Sequence, residues 1–431
     1  MKLTPEMALE YHLGGKIGLD LMKPLLNDQD LSLAYTPGVA DVCRQIEQEP
    51  ESAWTYTAKG STVAVITDGT AVLGLGDIGA SASIPVMEGK AVLFKAFADV
   101  DAWPVPLEGI RRDGMTGRSN PDLFVETAKR LAVMYGGINI EDVAAPECFE
   151  IEDRLREELD IPVFHDDQHG TAIISLAGLQ NYLTITGKDI GEIRIVINGG
   201  GAAGIRIGEL FRFAGAQNIF MCDSKGVIHD GRDDLTPQKR QFAQCTGSRC
   251  LADAMKDADV FIGVSVPGVV TREMVADMAP EPAIFAMANP EPEIRPEIIR
   301  EVRDDACIAT GRSDYPNQIN NVLGFPFIFR GALDVRAKDI TMNMKLACSN
   351  ALAEIAREDV PEYIRRAYGG IELAFGRDYI IPKPFDRRVL VNASAAVAEA
   401  AIRDGVARRK IDITGYMKKL TDKAFSLESV D

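Results

Sequence analysis

From residue 192 onward the chain repeats one theme: a short β-branched run, a loop of small residues, then a helical pattern. The runs are IRIVI (193–197), NIFMC (218–222), DVFIGV (259–264), AIFAMA (283–288) and ACIAT (306–310). Short apolar strands alternating with helices predict a parallel sheet covered on both faces. The predicted class is therefore α/β: a Rossmann-type, doubly wound parallel sheet domain beside a second α/β domain with helical N- and C-terminal segments. A chain of 431 residues is too long for one compact core. We expect divisions at 1–163, 164–321 and 322–431. The first part reads as a hairpin, VAVITDGTAVLGLG (63–76), then helical patterns around 84–98 and 121–134, then a strand at GGINI. The last part is mostly helical, with ASAAVAEAAIRDGVARR its clearest amphipathic stretch, and is expected to pack back on the first domain.

Composition excludes several functions. A net charge of −17 repels nucleic acid and anionic lipid, and an anionic substrate needs local positive charge to bind. No apolar run approaches the ~20 residues that cross a bilayer. The start, MKLTPEMALEYHLGG, lacks the apolar core of a signal peptide, so a cytoplasmic home is expected. The seven cysteines are scattered, and Cys245 with Cys250 lacks zinc-site spacing, so all read as reduced.

The segment GGGAAG places Gly199, Gly201 and Gly204, with Ala202 and Ala203 between them, directly after a strand and before a helix. Dinucleotide binding requires that context, because glycines admit a pyrophosphate to the backbone and the helix N-terminus supplies N–H groups. Asp223 ends the next strand, where a carboxylate accepts the ribose hydroxyls of NAD. Ser224 and Lys225 follow and offer a place for the 2′-phosphate of NADP; the balance tips slightly to NAD. A second match, Gly74, Gly76 and Gly79, follows the expected hairpin and reads as a glycine-rich turn. Loops at the carboxyl ends of the later strands carry Ser265, Asn289 and Asn320, which are expected to reach one crevice. Each asparagine serves a loop backbone equally well.

Two acid-rich segments remain. NIEDV carries Glu141 and Asp142, and VFHDDQHGTAI carries Asp166 and Asp167. Carboxylates on two loops suit magnesium or manganese, which choose oxygen ligands. Acid pairs also sit on solvated faces, and DDQHG equally suits the opening of a helix. His165 and His169 read as hydrogen-bonding residues of a core or loop rather than ligands.

Seven blocks in fixed order carry a resemblance: LAYTPGVA, GTAVLGLGDIG, PVMEGKAVLFK, GGINIEDVAAPECFEIE, PVFHDDQHGTAI, ANPEPEI and GRSDYPNQINNVLGFPFIFRGALD. Together they resemble the short bacterial and archaeal malic enzymes across nearly all of residues 30–340. The resemblance implies oxidative decarboxylation of (S)-malate to pyruvate and CO2, with reduction of NAD or NADP, a Mg2+ or Mn2+ ion, some decarboxylation of oxaloacetate and a homodimer. It makes 1–163 the substrate and metal domain and 164–321 the dinucleotide domain. It assigns Tyr35 as general acid and Lys90 as general base, with Asp166 holding the lysine. Glu141, Asp142 and Asp167 become metal ligands. A lysine is normally protonated at pH 7, so Lys90 is expected to be driven neutral by burial and a nearby dication. The family's long branch has a carboxylate-binding arginine where this chain has Ala71. The length leaves no room for the phosphotransacetylase-like domain of some bacterial relatives. An amino-acid dehydrogenase, needing no metal, and a nucleotide-sensing or scaffold protein with a vestigial site are the alternatives.

Overall fold

The computed structural model describes residues 4–72, 74–112 and 116–426. Two parallel sheets organise it. The first comprises β1 (Thr62–Thr67), β2 (Asp101–Pro106), β3 (Gly137–Ile140) and β4 (Val163–His165) in the order β2-β1-β3-β4. The second comprises β5 (Arg194–Asn198), β6 (Asn218–Asp223), β7 (Gly226–Val227), β8 (Val260–Gly263), β9 (Ala283–Ala286) and β10 (Cys307–Thr310). Its order is β10-β9-β8-β5-β6-β7, parallel throughout except for β7, which turns back along β6. Every run that the sequence marked after residue 192 is one of these strands. Strand order reverses between β5 and β8, which opens a crevice at their carboxyl ends.

The expected hairpin at 63–76 does not form. β1 is buried along its whole length, and both of its neighbours run parallel to it. After it, Gly69, Gly74 and Gly76 adopt φ of 68°, 74° and 76°, so the chain coils into a loop that feeds the helix Gly79–Ala98. Among the described residues an isolated antiparallel bridge, Val72 to Gly76, is what remains of the turn-back. The expected division at 163/164 falls inside β4, which is paired with β3.

The helix Asp166–Thr186 starts where β4 ends, packing on Ala202–Phe213 to one side and on Met342–Arg357 to the other. The helix Phe325–Asp334 lies against Gly79–Ala98, with the Phe94 ring 4.7 Å from Phe325 and 5.3 Å from Phe329. Arg388–Arg403 covers both Phe325–Asp334 and Met342–Arg357. The C-terminal helices thus bury apolar faces against elements of the first sheet's layer and against Asp166–Thr186. The N-terminal helices Pro5–Tyr11, Asp28–Ala34 and Val39–Gln48 bury no residue, and Leu13, Leu19, Leu26 and Leu33 stand exposed along this segment.

Candidate active site

The carboxyl ends of β3 and β4 place the acids. Glu141 follows β3, and its backbone N–H bonds Ile66 of β1. Asp142 adopts φ 53°, a left-handed conformation that aspartate tolerates better than most residues, and its N–H donates to Asp167 Oδ2 at 2.8 Å. Asp166 and Asp167 occupy the first turn of Asp166–Thr186, so they are the acid-rich opening of a helix and face the site as well. One oxygen from each of Glu141, Asp142 and Asp167 lies within 4.8 Å of the others. That all-oxygen set fits a hard divalent cation and offers nothing to a thiophilic metal.

Lys90, buried in the middle of Gly79–Ala98, reaches this cluster. Its Nζ lies 2.7 Å from Asp166 Oδ2, 2.9 Å from Glu141 Oε1 and 4.3 Å from the centre of the Phe325 ring. Burial pushes the amine toward neutrality, but Asp166, Glu141 and Asp167 outweigh it and hold Lys90 above the ordinary lysine range. Burial thus acts in the expected direction, and without a dication the neighbouring carboxylates keep Lys90 protonated. Burial raises Glu141 well above a normal carboxylate, against the pull of Lys90, and raises Asp166 to about 6. A buried acid cluster with a single ammonium among it lacks positive charge, which is the electrostatic demand a dication meets.

Asp166 Oδ2 also accepts from Asn321 Nδ2 at 2.6 Å, and a Cβ on Gly170 would stand 2.0 Å from Asp166 Oδ1. The sequence reading selected Asn320 and passed over its neighbour. Asn320 lines the same cleft while its Oδ1 accepts from Val322 N–H at 3.0 Å. The two histidines are buried, as expected of hydrogen-bonding residues. His165 Nε2 lies 3.2 Å from Asp167 Oδ2, and His169 Nε2 lies 2.8 Å from Glu152 Oε1. Burial drives His169 down to about 3 despite Glu152, so it is neutral.

Tyr35 is not brought to this cluster. It caps the end of Asp28–Ala34, 70% exposed as a residue, and the described bonds and ion pairs of Lys90 do not include it. A short exposed helix that buries nothing has no packing to carry a tyrosine into the interior.

The second sheet builds two adjoining clefts. One of about 800 Å³ is lined by Gly199, Gly201, Asp223, Ser224, Lys225 and Ser265, among others. The other, of about 500 Å³, joins Asp142 and Asp167 to Ala202, Ala203, Asn289 and Asn320. Ser265 lines both. Gly199 has φ 134°, and Gly204, buried in Ala202–Phe213, would carry a Cβ 1.8 Å from the Gly199 carbonyl, so both positions require glycine.

Asp223 is not free to accept a ribose diol. Arg232 grips both of its oxygens at 2.8 and 3.0 Å, and Lys239 Nζ lies 2.6 Å from Oδ2. Burial alone would raise its pKa, but these cations and the Lys225 N–H bring it down to about 2. Neither Arg232 nor Lys239 was foreseen, since Arg232 lies on the loop after β7 and Lys239 in the short helix Pro237–Arg240, and neither carries a motif.

Fold and site together define a dinucleotide-binding α/β protein with a carboxylate cluster facing the nucleotide crevice. The malic enzyme N-terminal domain model matches residues 15–156, and the malic enzyme NAD binding domain model matches residues 168–366. The chain is 53% identical over 422 residues to an NADP-dependent malic enzyme of Halomonas elongata, covering 97% of this chain and 98% of that protein. It is 52% identical to the NADP-dependent malic enzyme of Escherichia coli, over 97% of this chain and 55% of that longer one. The crystal structure of a malic enzyme from Pyrococcus horikoshii superposes with a TM-score of 0.88 at 41% identity, covering 99% of this chain and 96% of that one. The chain belongs to the malic enzyme family.

Proposed function

We propose that this chain catalyses the metal-dependent oxidative decarboxylation of (S)-malate to pyruvate and CO2, with NADP+ as its preferred acceptor, and that it also decarboxylates oxaloacetate. The observation that carries the reading is one cleft in which Asp142 and Asp167 face Asn289 and Asn320 beside Ala202 and Ala203 of the glycine loop, with Glu141 grouped with the two aspartates and bonded to the buried Lys90–Asp166 pair. In this reading 1–163 supplies Lys90, Glu141 and Asp142, 164–321 supplies the dinucleotide site together with Asp166 and Asp167 at its start, and 322–431 braces the first domain. When bound, Mg2+ or Mn2+ would take up the charge that holds Lys90 protonated and supply a Lewis acid for the negative charge left on the C2 oxygen as CO2 departs, while the dinucleotide would accept the hydride.

The residues supply the rest. Lys90, oriented by Asp166 and through it by Asn321, takes the proton of the malate C2 hydroxyl. The amides of Asn289 and Asn320 donate to substrate carboxylate, the service that Ala71 cannot perform. Tyr35 returns a proton to C3. Because Tyr35 is exposed on a segment whose leucines are uncovered, we propose that a symmetric homodimer covers the segment and delivers the hydroxyl. Light scattering should give twice the chain mass at assay concentration; a monomer with full turnover would contradict this. All seven cysteines are free thiols, which supports a cytoplasmic place of action. Among the described residues no helix is long and apolar enough to cross a membrane.

The coenzyme preference departs from the sequence expectation because Asp223 is already paired. Lys225, Lys239 and Arg249 line the cleft around it and suit a 2′-phosphate. We expect kcat/KM to favour NADP+ over NAD+ by about 10- to 100-fold, and Lys239→Ala to cost NADP+ about tenfold while changing NAD+ little. A preference for NAD+ in the unaltered chain would sink this. The function itself is tested by product stoichiometry. One pyruvate should form per NADPH from (S)-malate, whereas oxaloacetate as the sole product would make the chain a simple malate dehydrogenase.

A further inference from the structure

Glu293, in the loop after β9, is fully buried, and among the described residues it pairs with no cation. A buried carboxylate without a counter-charge is costly unless hydrogen bonds replace its hydration. Here they come from two loops. Oε1 accepts the Ser265 N–H at 2.8 Å and the Ser265 hydroxyl at 3.2 Å, and Oε2 accepts the Ala288 N–H at 3.0 Å. Ser265 follows β8, lines both clefts and has its hydroxyl held in turn by Asn198 Nδ2 at 2.8 Å. Ala288 follows β9 and immediately precedes Asn289. The space is made by Gly263, the last residue of β8, where a Cβ would stand 2.4 Å from the Glu293 carboxyl carbon. An acid chosen only to end a strand would cap one loop; this one spans the loops of two adjacent strands.

We infer that Glu293 is a positioning residue whose single carboxylate fixes the dinucleotide loop at Ser265 and the substrate loop at Ala288 and Asn289 in one register, so that affinity for the two ligands rises and falls together. The inference rests on the reading above, in which dinucleotide and malate occupy these clefts. The isosteric Glu293→Gln keeps the volume but turns one acceptor into a donor, which then faces a backbone N–H, so one loop must move. Glu293→Asp is too short to reach both loops.

In the metal-loaded full chain, calorimetry should show the dissociation constant for NADP+ without malate rising about tenfold in Glu293→Gln. The KM for malate should rise by a similar factor, and kcat at saturation should fall by less than either constant rises. Glu293→Asp should behave likewise, with unchanged far-ultraviolet circular dichroism in both. One constant moving alone, or kcat falling with both constants unchanged, overturns the inference. If neither variant folds, Gly263→Ala displaces the carboxylate while keeping its charge. It must raise both constants, and leaving both unchanged overturns the inference. Absence of NADP+ binding by the unaltered chain would instead remove the reading of the clefts.

Discussion

Asp167→Asn is expected to lower turnover of (S)-malate by about a thousandfold, the cost of several kcal/mol of charge stabilisation at the reacting centre. The fold should survive, because Asp167 sits in the first turn of a helix whose packing lies further along, at apolar residues such as Ile173, Leu176 and Leu179. Dinucleotide affinity should also survive, since the glycine loop and the basic residues around Asp223 make no contact with it among the described bonds. The direct readout is Mn2+ affinity by titration calorimetry. Unchanged Mn2+ affinity in the variant would remove Asp167 from the ligand set and leave the turnover loss without its cause.

The second large effect separates two proton transfers. Lys90→Ala should abolish malate oxidation and the reverse reduction of oxaloacetate together, each by about 10²- to 10⁴-fold, because both pass through the same C2 oxygen. It also leaves Asp166 and Glu141 buried without their ammonium, so thermal stability should drop unless the divalent cation is supplied. Tyr35→Phe removes only the hydroxyl of a residue exposed within its own chain and should leave that chain's stability unchanged. It should keep much of the oxaloacetate reduction and lose exchange of the pyruvate methyl protons with deuterated solvent. Equal losses of reduction in the two variants would refute this division of labour.

The second sheet was readable in the sequence because its strands are buried on both faces and so print as unbroken apolar runs between helices. The glycine loop was readable because sterics forbid any side chain at Gly204. The first sheet was misread where β1 runs into a glycine-rich loop, since a central parallel strand followed by a coil has the same local composition as half of a hairpin. The acids were visible as motifs, but not their partners. Asn321, Arg232, Lys239 and Glu293 acquire meaning only when distant loops converge on the carboxyl edge of the sheets, and no period or spacing announces them. Tyr35 stands away from the cluster for a different reason: a motif fixes a residue type, whereas its position depends on burial that this segment does not achieve within one chain.

The central claim is that the carboxylates of Glu141, Asp142 and Asp167 hold a divalent cation on which pyruvate formation depends. The most direct test follows pyruvate and NADPH from (S)-malate and NADP+ after exhaustive chelation and again after adding back Mn2+. The account predicts that both products vanish together on chelation and return together, with about one Mn2+ bound per chain. Undiminished formation of both products in the chelated protein would contradict it.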